Sequence, residues 1–170
     1  MRTLSFKLRN GYRRGVTLVE LCFGLTIAAV IVGMAAPGFQ STLRAAAVRS
    51  ATFDLLAGLQ QARGNAILES RAFSLCPSDG SGNCVSAGVP ARYWHVSADS
   101  ERALDAGHFL PAGVVVRATR SPLRFSADAF GAGNGTLTIC DQRHVASPRA
   151  IVLSVTGRAR LEVAPAEDCD

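Results

Sequence analysis

The sequence predicts an α+β fold in which one long N-terminal helix, apolar in its first half and amphipathic in its second, packs on antiparallel β-sheet. Three observations predict it. From Leu21 to Gln40 no side chain is charged, and a helix of about 20 residues, rising 1.5 Å per residue, spans a hydrocarbon core of about 30 Å. Beyond Pro37, apolar residues recur at three- and four-residue spacing. From Arg71 onward the pattern changes to short apolar runs separated by Gly, Pro, Ser and Asp, as strands and turns require.

The first half of the helix opens with Arg13, Arg14, Gly15, Val16, Thr17, Leu18, Val19, Glu20 and Leu21. Glu20 stands inside the apolar end, where a carboxylate costs about 2.5 to 3.5 kcal/mol unless something pairs with it. A cut between Gly15 and Val16 would supply the partner. The new α-amino group would begin the helix, with Glu20 on the same helix end, where a neighbouring subunit's amine can reach it. An ordinary secretory signal ending near Ala35 and Ala36 is the weaker reading, because a glutamate at the start of its apolar region is unfavourable. A plain membrane anchor accounts for Glu20 no better.

The second half carries Leu43, Ala47, Ala51, Leu55, Leu59, Ala62, Ala66 and Leu68, alternating with Arg44, Arg49, Asp54, Gln60, Arg63 and Glu69. This is one amphipathic helix with a face to bury. The pair Pro37, Gly38 should bend the junction, since proline removes a backbone hydrogen bond and clashes with the preceding turn.

Strands are read near Phe73–Cys76, Tyr93–Val96, Val114–Thr119, Leu123–Ser126, Thr136–Cys140, Ile151–Val155 and Arg158–Val163, forming antiparallel sheet folded over the helix. Pro77 to Gly82 is a turn-rich segment, and Gly131 to Gly135 a glycine-rich turn. The latter has no adjoining Lys-Ser or Lys-Thr pair and opens no helix, so it is a connection and not a nucleotide loop.

Of the five cysteines, Cys22 lies in the apolar helix and reads as a small apolar residue. In an oxidising compartment the other four suggest disulfides, and four cysteines allow three pairings. Loop proximity favours Cys76 with Cys84 and Cys140 with Cys169. The longer loop would contribute about 3 to 4 kcal/mol in the chain-entropy view. Zinc is the competing use, but no Cys-x-x-Cys pair occurs and His95, His108 and His144 are scattered. No cofactor or metal is expected.

The run from Gly15 to Leu21 resembles the processing site of type IV prepilins and pseudopilins. The resemblance implies cleavage after Gly15 by a prepilin peptidase, methylation of the new amine on Val16, and helix-to-helix packing into a filament. Counting Val16 as the first mature residue, Glu20 and Pro37 fall where the family carries its glutamate and its helix-bending proline. The family more often begins with Phe or Met, so Val16 is a departure.

On this reading residues 1–15 are a cytoplasmic leader and 16–36 the transmembrane and assembly half of the helix. Residues 37–170 form a periplasmic or extracellular globular domain, amphipathic half included. Basic residues before the span fit a cytoplasmic N-terminus. Five of the 18 basic side chains, Arg2, Lys7, Arg9, Arg13 and Arg14, precede the cut, leaving 13 against 13 acidic ones. Anion binding by the exported part must therefore come from a local patch and not from the overall field.

The candidate patch is Gly157, Arg158, Ala159, Arg160, after the apolar strand Ile151–Val155. On one strand Arg158 and Arg160 would point the same way, about 7 Å apart, able to engage successive anionic groups bidentately. Gly157 would let the chain turn tightly and leave its amide open to a phosphate. Arg143 and Arg149 should not join them, because seven strand residues rise about 23 Å.

Thr138, Ile139, Cys140 and Asp141, the strand Arg149 to Val155, then Gly157, Arg158, Ala159, Arg160 and Cys169 together resemble the FimT and GspH group of minor pilins. In members active in natural transformation a Gly-Arg-x-Arg motif binds DNA, and Gly157, Arg158 and Arg160 match it. The implied partners are DNA without sequence preference, other major and minor pilins, the prepilin peptidase, and the inner membrane before assembly. Rival roles are a FimU-like structural subunit that primes assembly and a GspH-type pseudopilin of a type II secretion machine.

No catalytic constellation is read. Asp99, Glu101 and Asp105 form a solvated loop, and of the adjacent Tyr93 and Trp94, which could stack on bases, one should be core.

Overall fold

The computed structural model describes residues 15–98, 107–126 and 133–170, without the side chains of residues 35–37. The leader before Gly15, the loop of Asp99, Glu101 and Asp105, and the start of the glycine-rich turn at Gly131 lie outside the described residues. The chain divides into two compact units, Met1–Gly38 and Phe39–Asp170.

Helix α1 runs from Leu18 to Leu68. It begins there because Thr17 caps it. The Thr17 Oγ1 accepts the Glu20 N–H at 3.3 Å, and the Thr17 carbonyl accepts the Leu21 N–H at 3.1 Å. Thr17 and Glu20 thus stand as the first and last residues of a Thr-x-x-Glu capping pattern. Within the first unit the apolar side chains are exposed around the whole circumference, from Leu18 and Phe23 to Ile31 and Met34. No single helix among the described residues is long and apolar enough to cross a membrane.

In the second unit the helix buries Val48, Ala51, Thr52, Leu55, Leu59, Ala62 and Ala66, a stripe at the spacing of one helical face. Leu43 and Leu68, read from the sequence as part of this face, are 53% and 83% exposed. Val48 takes the inward position at the N-terminal end, because Leu43 lies well round the helix from the line through Val48, Leu55 and Leu59. Gly58 belongs to the buried stripe for a different reason. A Cβ there would stand 2.2 Å from the Trp94 ring, so only glycine lets the indole lie against the helix backbone.

Among the described residues eight strands follow: β1 (Phe73–Ser78), β2 (Tyr93–Ala98), β3 (His108–Phe109), β4 (Val114–Ala118), β5 (Leu123–Phe125), β6 (Gly135–Asp141), β7 (Arg149–Leu153) and β8 (Ala159–Val163). They form two antiparallel sheets, ordered β3-β2-β1-β5 and β4-β6-β7-β8. Strand β1 is buried at every residue because β2 pairs along its whole length and β5 along its first three residues. Two hydrogen bonds of 2.9 Å between Ala91 and Val116 join the segment before β2 to β4. The core unites Leu55 and Leu59 of the helix with Leu75, Trp94, Val114, Leu123, Leu137, Ile139 and Ile151 of both sheets.

Disulfides join Cys76 to Cys84 and Cys140 to Cys169. The second ties the short 3-10 turn Ala166–Cys169 to β6. Beside it, the buried Asp141 carboxylate accepts the Val145 and Ala146 N–H groups at 3.1 and 3.2 Å. The Arg44 guanidinium, 3.9 Å from Asp141, donates to the Ala112 carbonyl at 2.9 Å. One helix side chain thus clamps two loops.

Candidate functional site

The β7–β8 hairpin carries the predicted basic patch on the outer edge of its sheet, since β8 is a terminal strand. Leu153 pairs with Ala159 and Val152 with Arg160, which leaves Ser154 to Arg158 as the turn. Its closure follows from the residues. The Gly157 N–H donates to the Ser154 carbonyl at 2.9 Å, and the Ser154 N–H to the Arg158 carbonyl at 3.0 Å. Gly157 adopts φ of 74°, a left-handed conformation that glycine takes without a Cβ penalty.

Two expectations are corrected here. Gly157 is buried and its amide is consumed by the turn, so it offers no open donor to a phosphate. Arg158 precedes β8 and does not share its pleat; its own N–H donates to the Ser154 Oγ at 3.2 Å. The cause is one residue of turn more than the sequence reading allowed. The two arginines are held near one another by the turn and not by strand alternation.

Arg158 and Arg160 are both exposed. Among the described residues Arg158 has no ion-pair partner, whereas the Arg160 guanidinium lies 3.7 Å from the Glu162 carboxylate, two residues on along β8. Both of those side chains are more than half exposed, so the pair is worth little and yields to a competing anion. A third arginine was missed. Arg63, read as part of the solvated helix face, is half-buried and donates to the Gly157 carbonyl at 3.3 Å, which ties the turn to α1. Its position 94 residues from Gly157 left no local signal. Val155, Leu161 and Val163 add exposed apolar surface to the same hairpin.

Arg149 pairs with Val163 at the far end of the hairpin and lines a shallow groove with Arg49 and Phe53. Arg143 lies in the loop held by Asp141. Neither joins the turn. Trp94 is buried, with His108 stacked on it at 4.4 Å between centroids, and half-buried Tyr93 meets Phe109. At the start of α1, Val16 and Glu20 are exposed.

Among the described residues, His95 and Asp79 titrate away from their ordinary values. Burial lowers the pKa of His95 against the attraction of Asp79. Hydrogen bonds from the Ser81 N–H and the Asn83 side chain hold the Asp79 carboxyl below the usual range. Neither belongs to the hairpin.

No curated protein matches the chain. Two crystal structures of the type IV minor pilin FimU from Pseudomonas aeruginosa are similar to it. One is 23% identical with a TM-score of 0.49, over 67% of this chain and 91% of that one; the other is 22% identical with a TM-score of 0.48, over 71% and 90%. A family model described as type II transport protein GspH matches residues 51–157. The match ends at Gly157, so Arg158 and Arg160 lie just beyond it. It covers the amphipathic helix from Ala51 onward, both sheets as far as β7 and the turn, and on that ground the chain belongs to the GspH family, described as type II transport proteins.

Proposed function

We propose that this chain is a filament-forming minor pilin that binds DNA without sequence preference through Arg158 and Arg160, for DNA uptake in natural transformation. The observation that carries the reading is the exposed turn itself, closed by its own hydrogen bonds, tied to the helix by Arg63, and presenting two guanidinium groups with one weak competitor. Cleavage after Gly15, methylation of the Val16 amine and pairing of Glu20 with a neighbouring subunit's amine belong to the same proposal. So do a leader of residues 1–15, an inner-membrane and assembly segment of residues 16–36, and an exported domain of residues 37–170. The chain acts by binding and assembly and not as an enzyme.

Contacts made to phosphate carry no sequence information and release counterions. With two of them, log K on duplex DNA should fall with a slope of about −1.8 against log salt, and one subunit should bind with Kd of about 10⁻⁴ to 10⁻⁶ M. Neighbouring copies raise the avidity.

A gel-shift with residues 39–170 tests the hairpin. Wild type should retard DNA at low salt, and Arg158→Ala combined with Arg160→Ala should abolish most of the shift; unchanged binding in the double variant removes the hairpin from the mechanism.

A second reading draws on Val155, Leu161 and Val163, which make the hairpin partly apolar. Here the hairpin contacts another pilin, and the chain primes assembly or serves a type II secretion machine. The double variant would then lose filament incorporation while the wild-type domain fails to shift DNA.

A further inference from the structure

In the two-stranded pairing of β1 with β2, Cys76 stands opposite His95. Residues directly opposite in an antiparallel pair put their side chains on one face, so the Cys76 Sγ lies 3.4 Å from the His95 Nε2. Cys84 reaches the same point from the loop after β1, where Ser78 bridges to Cys84 and the Val85 N–H donates to the Pro77 carbonyl at 2.9 Å. The two sulfurs and a histidine nitrogen all lie within 4.8 Å of one another. Cys76 and His95 are buried, at 0% and 4% exposure, while Cys84 is exposed and opens the cluster to solvent.

His95 is poorly accounted for while the cysteines are joined. The Nε2 meets only a disulfide sulfur, a weak acceptor, and the buried Nδ1, with no hydrogen-bond partner among the described residues, can hold the ring proton while Nε2 binds a cation. A buried imidazole left in that condition is uncommon in a settled core. Two thiolates and an imidazole converging on one point form a ligand set for a thiophilic d10 cation. Tetrahedral zinc with Zn–S near 2.3 Å and Zn–N near 2.0 Å places sulfur and nitrogen about 3.5 Å apart. That is close to the 3.4 Å already held between Cys76 and His95.

We infer that Cys76, Cys84 and His95 form a redox-gated zinc site, in which the metal and the disulfide are alternative closures of the same loop, whose cysteines are 8 residues apart. A dithiol reductant opens the site. It delivers two electrons and two protons to the Cys76–Cys84 bond, giving two thiols, and is itself oxidised to a disulfide. A Zn²⁺ ion then displaces both thiol protons and takes the His95 Nε2 as its third ligand, leaving the fourth tetrahedral position open. The exposed Cys84 moves outward to seat the ion, while Cys76 and His95 stay where the strands hold them.

The test uses the full chain in detergent, reduced with dithiothreitol, freed of it under argon and titrated with Co²⁺ as the spectroscopic probe for zinc. The reduced chain should bind one Co²⁺ with a thiolate-to-metal charge-transfer band and release it to Zn²⁺, whereas the oxidised chain binds none. His95→Gln should weaken binding about tenfold or more, and Cys84→Ser should remove one thiolate's share of the band. Cys84 is exposed, so its variant keeps the test decisive if the His95 substitution disturbs the core. Cys140→Ser with Cys169→Ser should leave the site intact. The inference is overturned if the reduced chain takes up no Co²⁺, if Cys84→Ser binds like wild type, or if the band disappears with the Cys140 and Cys169 pair instead.

Discussion

The two halves of α1 share one helical backbone and differ in what their side chains meet. In residues 39–68, Val48, Leu55, Leu59 and Ala66 are covered by the two sheets of the same chain. In residues 18–34, Phe23, Leu25, Ile27 and Val30 are exposed and no polar face stands opposite them. The second half is thus completed by its own chain. A helix apolar all round is stable only inside a bilayer or a bundle of other helices, and the proposed function supplies the first half with both.

Removing a clamp on the second half has the largest expected effect. Asp141→Ala strips the buried Ala146 N–H and the half-buried Val145 N–H of their acceptor and leaves Arg44 without its carboxylate neighbour. The folded domain should lose about 3 kcal/mol, measured by urea unfolding of residues 39–170; a loss under about 1 kcal/mol would show that the loop re-forms without it.

Glycines in the two halves should then behave in opposite ways. Gly58→Val forces a side chain into the Trp94 ring and should cost about 2 kcal/mol. Gly24→Val meets nothing within 4 Å and should leave the urea midpoint of the full chain in detergent unchanged. Equal effects at both positions would break the distinction. A smaller effect is expected at Arg63, through which the second half holds the hairpin turn. Arg63→Ala should cost about 1 kcal/mol and weaken DNA retardation several-fold less than loss of Arg158 and Arg160 together.

Much of this architecture was legible because its signals are local. The uncharged run, the three- and four-residue spacing and seven short apolar runs each report one element. The two-residue strand β3 at His108–Phe109 was not legible, since so short an edge strand has no periodicity to read. Nor was the division into two sheets, because β1 pairs with β5 across some fifty residues and only the folded chain brings them together.

At the hairpin, residue types pointed to Gly157, Arg158 and Arg160, but the turn's extra residue, the spent Gly157 amide and the Glu162 neighbour depended on register. The Thr17–Glu20 cap was readable from its spacing and was passed over in favour of a longer-range role for Glu20. The bond that Thr17 accepts comes from the Glu20 backbone N–H, so the glutamate side chain itself is what the assembly claim must account for.

The most direct test therefore compares Glu20→Ala and Glu20→Gln for incorporation into sheared filaments, by immunoblot against total chain. Gln keeps the size and polarity of the residue in the capping pattern and removes only the charge. If the first half of the helix is completed by a neighbouring subunit's amine, both variants should be excluded from filaments while the full-length chains accumulate in the cell at the wild-type level. Filaments that take up Glu20→Gln at the wild-type level would contradict the account.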